Sequence, residues 1–414
     1  MTLRLVIFVI VLLALDFYAL QALRTLTKNQ FVQWGYVALS LGVIVYLMYV
    51  MINYDRSVGP TQDTLRVAGV FLLFFVPKLV LLIFMFGEDI IRLFVGGYNY
   101  ISDHLSDEKS SQFIPGRRKF VSQLALGVAA IPFASILYGI FRGKYNFKVL
   151  THTIYFDDLP DAFDGFRLTQ ISDIHSGSFD NPEKIEYAID LINEQETDVI
   201  FFTGDIVNTK AEEMDPWIDT FKRMKTPQFG KYSILGNHDY GEYVSWNSEK
   251  EKEANFQAIK DVHGKIDFKL LLNENIHIEK DGARIAVVGV ENWGHNFKKA
   301  GDLIKASEGI SEEDFKILLS HDPSHWEHEV KKSDTHYHLT LSGHTHGFQF
   351  GIEIPGFFKW SPVQYVYKQW AGLYEELGKY VHVNRGFGFH AYPGRVGIWP
   401  EITVIELKKR ANTA

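Results

Sequence analysis

The sequence predicts an α/β domain carried behind a helical membrane module, and three observations lead there. Four apolar stretches crowd the first third of the 414 residues, short apolar runs alternate with helical stretches from about Tyr145 onward, and five of those runs end in carboxylates, imidazoles or an amide. Residues 1–144 are therefore read as the membrane module and 145–414 as the second domain. Pooled values of 46% hydrophobic residues and a net charge of −8 average two unlike parts, and no basic surface for nucleic acid is indicated. The chain contains no cysteine, which excludes disulfides, thiolate metal sites and cysteine nucleophiles. Any metal must be held by His, Asp, Glu, Asn or backbone.

A bilayer core demands about 18 to 20 apolar residues of a helix. Stretches from about Leu3 to Leu20, Tyr36 to Ile52, Leu65 to Phe86 and Val121 to Phe141 meet that demand. The first is longer than the apolar region of a signal peptide and has no clear small-residue cleavage site, so it reads as a retained span. Asp16 and Pro77-Lys78 interrupt two spans and are expected to face other helices.

Orientation follows from basic residues. With the C-terminus outside, inner loops carry Arg24, Lys28, Arg92, Lys109 and Arg117 to Lys119; with it inside, they carry Arg4, Arg56, Arg142, Lys144 and Lys148. Those counts are close. Arg117-Arg118 before the mild apolar run of the last span is similar to a twin-arginine export signal, and as a plain cytoplasmic anchor it has the same consequence. The chain after Phe141 is therefore expected outside the cytoplasm, in a multi-pass protein of a bacterial inner membrane.

In the second domain, FRLTQIS is followed by Asp173-Ile174-His175, DVIFFT by Gly204-Asp205, YSIL by Gly236-Asn237-His238-Asp239, FKILLS by His321-Asp322-Pro323, and YHLTLS by Gly343-His344-Thr345-His346. Open α/β sheets place their sites at such C-terminal strand ends. Asp173, His175, Asp205, Asn237, His321, His344 and His346 form an oxygen and imidazole set suited to Mn, Fe or Zn rather than to Ca or Mg. Seven ligands exceed one tetrahedral ion. Two ions sharing a carboxylate would use them all, and an Asp on a middle strand, Asp205, is the natural bridge.

These blocks resemble the calcineurin-like metallophosphoesterase superfamily, whose pattern runs D-x-H, G-D, G-N-H-D/E, a lone His, and G-H-x-H. All five appear in order over about 175 residues, and the resemblance covers about Asn146 to Leu407. The tail VNRGFGFHAYPGRVGIWPEITVIEL is similar to the closing strands of the bacterial membrane-associated branch. The resemblance implies a four-layer αββα sandwich. It also implies that Asp173, His175, Asp205 and His346 hold one ion, while Asp205, Asn237, His321 and His344 hold the other. His238 would protonate the leaving oxygen or stabilise phosphoryl charge, with Asp239 orienting it. Two divalent ions about 3.5 to 4 Å apart would supply hydroxide near neutral pH for in-line attack.

Other features take plainer places. His325 and His328 are read as surface or capping residues and His336 and His338 as strand decoration. His390 and Arg395 stand in the tail, either near substrate phosphate or in structural roles. The aromatic insert from Pro355 to Tyr380 is ordinary packing or a lid at the membrane interface, with packing favoured. The expected function is a membrane-anchored dimetal phosphohydrolase acting on a phosphodiester or phosphomonoester, a lipid-linked one included. A non-catalytic membrane scaffold or sensor is the alternative, and it would be expected to have lost ligands or His238.

Overall fold

The computed structural model describes residues 2–105 and 115–410; Lys109, counted in the charge balance above, lies outside the described residues. The chain divides into two compact units, one of residues 1–54 and 66–138 and one of residues 55–65 and 139–414. The division thus falls a few residues before 144. The segment Asp55–Leu65, which joins two apolar helices in sequence, is part of the second unit.

The first unit is built on α1 (Thr2–Leu26), α2 (Gln30–Ile52), α3 (Gln62–Leu105) and α4 (Pro115–Phe141), each long and apolar enough to cross a membrane. The expected spans lie inside these helices, and α3 runs on well past Phe86. Its extension carries Glu88 and Asp89, which face Arg117 at 3.8 Å and Arg118 at 3.3 Å on α4. The intramembrane charges pair as expected. Lys78 Nζ stands 2.5 Å from Asp16 Oδ1 and donates to Ser40, while Tyr36 and Ser40 hydroxyls donate to the same carboxylate at 2.8 and 2.6 Å. The cluster satisfies a charge that would be costly alone in hydrocarbon, and it pins α1, α2 and α3 together.

The second unit holds two six-stranded sheets. The first has the order β1 (Lys148–Phe156), β14 (Glu401–Lys409), β2 (Phe166–Ile171), β3 (Val199–Phe202), β4 (Lys231–Ser233), β5 (Lys269–Leu270), with β2 to β5 parallel. The second has the order β12 (Gly372–Glu376), β13 (Lys379–Val383), β9 (Leu339–Ser342), β8 (Phe315–Leu319), β7 (Ala283–Gly289), β6 (Glu274–Lys280), with β7, β8, β9 and β13 parallel. A separate hairpin pairs β10 (Ile352–Ile354) with β11 (Phe358–Trp360).

Central strands are buried on both faces and read as unbroken apolar runs such as VIFF and FKILL. One core joins the two sheets through Phe163, Leu168, Phe201, Ile285, Ile317 and Leu341. A second packs the first sheet against helices α5 (Pro182–Asn193), α6 (Ile218–Lys222) and α7 (Glu249–Lys265), and a third covers the other sheet with the short helices α8 (Leu303–Ala306) and α9 (Pro323–His328). Helix, sheet, sheet and helix are the four layers that the sequence implied.

Two plain readings change. His325 is fully buried: its ring stacks on Trp293 and its Nδ1 lies 2.9 Å from Ser320 Oγ, so it is a core histidine and not a surface cap. His338 precedes β9 rather than decorating it, and is held between the Lys316 amide and Asp158.

Candidate metal centre

Five strand ends converge. β2 delivers Asp173 and His175, β3 Asp205, β4 Asn237, β8 His321, and β9 His344 and His346, all within one residue class set of carboxylate, amide and imidazole. Asp173, His175, Asp205, His344 and His346 all have positive φ, between 48° and 70°. Left-handed backbone at non-glycine residues costs energy and persists where the surroundings over-determine it, commonly at functional sites. Here it turns each ligand out of the strand direction. Gly236 and Gly343 make this possible by having no side chain, since a Cβ at either would strike Asp205 or Asp173 at 2.2 to 2.3 Å.

Among the described residues the candidate ligand atoms form three groups, Asp173, His175 and His346 in one, Asp205, His321 and His344 in another, and His175, His238 and His390 in a third, each with atoms within 4.8 Å of one another. In the first, Nε2 of His346 lies 3.0 Å from His175 Nε2 and 3.2 Å from Asp173 Oδ1. In the second, His344 Nδ1 meets Asn237 Oδ1 at 2.7 Å. Asp205 stands between them: its Oδ2 is 3.1 Å from His321 Nε2 and 3.6 Å from His175 Nε2, while its Oδ1 accepts the His238 amide.

The electrostatics match that geometry. Burial alone would raise the Asp205 carboxyl, but the imidazoles around it, His321 first, hold it well below the ordinary carboxylate range. Burial opposes protonation of His321, yet Asp205 and Asp173 push its imidazole up to about 10. Burial and the neighbouring His390 and His238 hold His175 well below its usual value. Opposed shifts of this kind within one cleft are characteristic of functional sites. Buried imidazole nitrogens that face one another and a carboxylate fit divalent ions of the Mn, Fe or Zn type.

His238, of the third group, is held differently. Its Nδ1 lies 2.7 Å from the Asn208 carbonyl, which can only accept, so Nδ1 carries the proton and Nε2 is left to the pocket. Asp239 does not orient this ring. Its carboxylate accepts the amides of Asp205, Ile206 and Gly236, because the turn after β4 folds it back beneath the β3 end, and so it fixes the Asp205 backbone.

Other residues here escaped the sequence. Tyr243 stacks on His238 with ring centroids 4.3 Å apart and accepts Asn237 Nδ2 at 2.6 Å, which leaves Asn237 Oδ1 facing His344. Tyr367, from the aromatic insert, meets His344 Nε2 at 2.8 Å, and buried Asp322 Oδ2 lies 3.6 Å from the same nitrogen. The only sequence signals are nearness to motifs, Tyr243 in GNHDYGEY and Asp322 in SHDP. His390 lines the pocket, whereas Arg395 is fully buried behind His346 and spends its guanidinium on the carbonyls of Gly386, Gly388 and Ile398. Its Nη2 also lies 3.2 Å from His346 Nδ1. The pocket, about 250 Å³, is also walled by Pro60, Tyr243 and Phe297.

Fold and cluster together define an α/β sandwich protein with groups able to hold metal at the C-terminal ends of its central strands. Comparison with known proteins makes the class specific. A family profile described as "Calcineurin-like phosphoesterase" matches residues 166–348, and one described as "Probable Calcineurin-like phosphoesterase, transmembrane domain" matches residues 3–144. The uncharacterized metallophosphoesterase YkuE of Bacillus subtilis is 31% identical over 275 residues, 66% of this chain and 89% of that protein. A transmembrane protein with metallophosphoesterase domain from Danio rerio is 28% identical over 331 residues, 77% of this chain and 70% of that protein. The chain belongs to the calcineurin-like metallophosphoesterases and carries their four-helix transmembrane domain. Among solved structures, the NAD nucleotidase of Haemophilus influenzae aligns with 13% identity and a TM-score of 0.36, covering 54% of this chain and 45% of that one. The 5'-nucleotidase precursor of Thermus thermophilus aligns with 13% identity and a TM-score of 0.35, over 59% and 54%. The chain spans about half the length of these two structures.

Proposed function

We propose that this protein is a membrane-anchored hydrolase of phosphoesters that works with two divalent ions. The observation that carries the reading is the placing of Asp205 Oδ2 between the imidazoles of two ligand groups. Asp173, His175, Asp205 and His346 would hold one ion, and Asp205, Asn237, His321 and His344 the other. Ions bound there supply an acidified water and neutralise charge on the phosphoryl oxygens. The chain's own residues do the rest. Asn237 is aimed by Tyr243, and His238, with Nδ1 fixed on Asn208, presents Nε2 to the leaving oxygen as proton donor. The retention of every ligand and of His238 in one cluster speaks against a scaffold that has given up catalysis.

The substrate class we propose is a phosphodiester or phosphomonoester presented at the membrane surface, a lipid-linked one in particular. Its support is the pocket wall formed by Pro60, in a segment bounded on both sides by membrane-spanning helices. We propose that the α/β domain lies outside the cytoplasm, and the support is Arg117-Arg118 ahead of the last span, which keeps that end inside. An impermeant maleimide reacting with Ile304→Cys in intact cells supports that side, and reaction only after lysis overturns it.

The activity is tested with the full chain in detergent, on bis-(p-nitrophenyl) phosphate and p-nitrophenyl phosphate, with added Mn and after chelation. Metal-dependent turnover that falls about 10²- to 10⁴-fold in His238→Ala, with metal content unchanged near two per chain, supports the mechanism. Failure to bind two ions sinks it. The ratio of diester to monoester turnover then narrows the substrate.

A further inference from the structure

The hairpin β10–β11 is amphipathic in the wrong sense for a protein surface. Its cross-strand register pairs Ile352 with Trp360 and Ile354 with Phe358 on one face, and Glu353 with Lys359 on the other. The polar face points into the domain: Glu353 holds Arg385 in a bidentate pair, and Lys359 Nζ donates to the Ala371 carbonyl and the Tyr374 hydroxyl. The apolar face points out. Ile352 and Ile354 are at least half exposed, and Phe357, at the turn, is 85% exposed. Tyr365 and Val366, just beyond the hairpin, extend the patch. Contiguous exposed apolar surface of this kind marks an interaction site.

The structure also says what lies beside it. Gly351, which opens the hairpin, donates its amide to Val396 O at 2.9 Å, and Val396 donates to Gln349 O at 2.7 Å. The adjoining Arg395 amide donates to Gly139 O at 3.2 Å, in the last turn of α4. A Cβ at Gly139 would strike Arg395 O at 2.6 Å and Val396 at 2.8 Å, so bare glycine is what lets the helix end meet this strand. The root of the hairpin is therefore one residue removed from a segment fastened to the end of a membrane span.

We propose that the β10–β11 hairpin seats its outer face in the membrane interface beside the end of α4, with Phe357 and Phe358 in the acyl boundary and Trp360 and Tyr365 at headgroup level. Aromatic side chains concentrate at that level, and an interfacial element buries its apolar face about 5–10 Å deep. The aromatic insert then has two parts: Val363 and Trp370 pack within the domain, and the hairpin faces lipid. The hairpin begins six residues after the metal-group residue His346, so this seating would hold the pocket close to the bilayer.

Because the chain has no cysteine, Phe357→Cys accepts a single environment-sensitive nitrobenzoxadiazole label. The full chain is reconstituted, one copy per disc, in phosphatidylcholine–phosphatidylglycerol nanodiscs with or without nitroxide-labelled lipid. Leu377→Cys serves as control, in the turn between β12 and β13 at the opposite end of the sheet from the metal groups. The expected result is blue-shifted emission at position 357, quenched more by shallow than by deep nitroxide, with water-like emission at 377. Water-like, unquenched emission at 357 overturns the proposal. Blue-shifted emission that nitroxide lipid does not quench, or that appears only with two copies per disc, assigns the face to protein contact and overturns it equally. The readout does not require turnover, so it stands or falls apart from the hydrolase reading.

Discussion

Tyr243 touches both halves of the site, its hydroxyl on Asn237 and its ring on His238. Tyr243→Phe keeps the stacking and removes only the acceptor that fixes the Asn237 amide. Outer partners of metal ligands are typically worth about 10- to 100-fold in affinity. Metal titration should accordingly show one of two sites weakened by that factor, with His238-dependent chemistry retained at saturating metal; unchanged affinity at both sites would remove Tyr243 from the metal centre. A second residue-scale prediction concerns protons. In the metal-free protein Asp205 holds the His321 imidazole up to about 10, so His321 is protonated at neutral pH and must lose that proton to ligate. Affinity at that site should rise with pH across the neutral range, and calorimetry in buffers of differing ionisation enthalpy should detect proton release. That these seven residues gather at one place was legible because their motifs recur in order after strands. Tyr243, Tyr367 and Asp322 were not, since a tyrosine or aspartate in a loop carries no mark of what the topology brings it to. The role of Asp239 was misread for a related reason: sequence neighbourhood with His238 suggested contact, whereas the turn sends the carboxylate to backbone amides.

At the scale of elements, β13 and β14 are held together by a buried polar network. Arg385 bonds Glu401 at 2.6 Å and Glu353 at the hairpin; His382 approaches Glu401 at 3.4 Å and meets Gln170 of β2 at 2.8 Å. Burial would raise the Glu401 carboxyl, but Arg385 and His382 bring it down to about 2. A depressed carboxylate stabilises the fold above its unfolded pKa, near 4.5, and that contribution is lost as pH falls from there toward about 2. Arg385→Met leaves Glu401 buried without its cation and should cost about 3–5 kcal/mol. Urea unfolding at neutral pH checks the cost, and the variant should lose less than the parent between pH 5 and 3. A parallel prediction holds among the spans: Lys78→Ala should destabilise more than the double change Lys78→Met with Asp16→Leu, because only the single change strands a charge in hydrocarbon. The spans themselves were legible from apolar length alone. Their true ends were not, because α3 continues as a helix on the charge pairs of Glu88 and Asp89, which hydropathy does not register.

For the molecule as a whole, the α/β unit draws on a piece of chain that lies in sequence between two apolar helices. Two spans, α3 and α4, separate the segment before Gln62 from the chain after Phe141, so both must emerge on the same face of the bilayer. The fold uses that parity. Leu65 is buried in the core that also holds residues of α5 and α7, Gln62 donates to the carbonyls of Gly177 and Phe179 just after His175, and Arg56 O accepts the Ser245 amide beside Tyr243. Nothing in the order of residues distinguishes a loop between spans from one that completes a distant core, so the place of residues 55–65 in the second unit is not legible in the sequence. A piece beginning at Tyr145 consequently lacks a buried leucine and its hydrogen bonds, a loss on the order of 3–5 kcal/mol. It should unfold at lower urea than the same piece supplied with a peptide spanning residues 55–65, and a peptide with Leu65→Ala should restore less. Such a piece would still carry all seven ligands, so two-metal binding should survive while the pocket, deprived of Pro60, loses one wall. A midpoint indifferent to the peptide would mean that the segment merely rests on the domain, and the pocket would then have to be defined by residues after Gly139 alone.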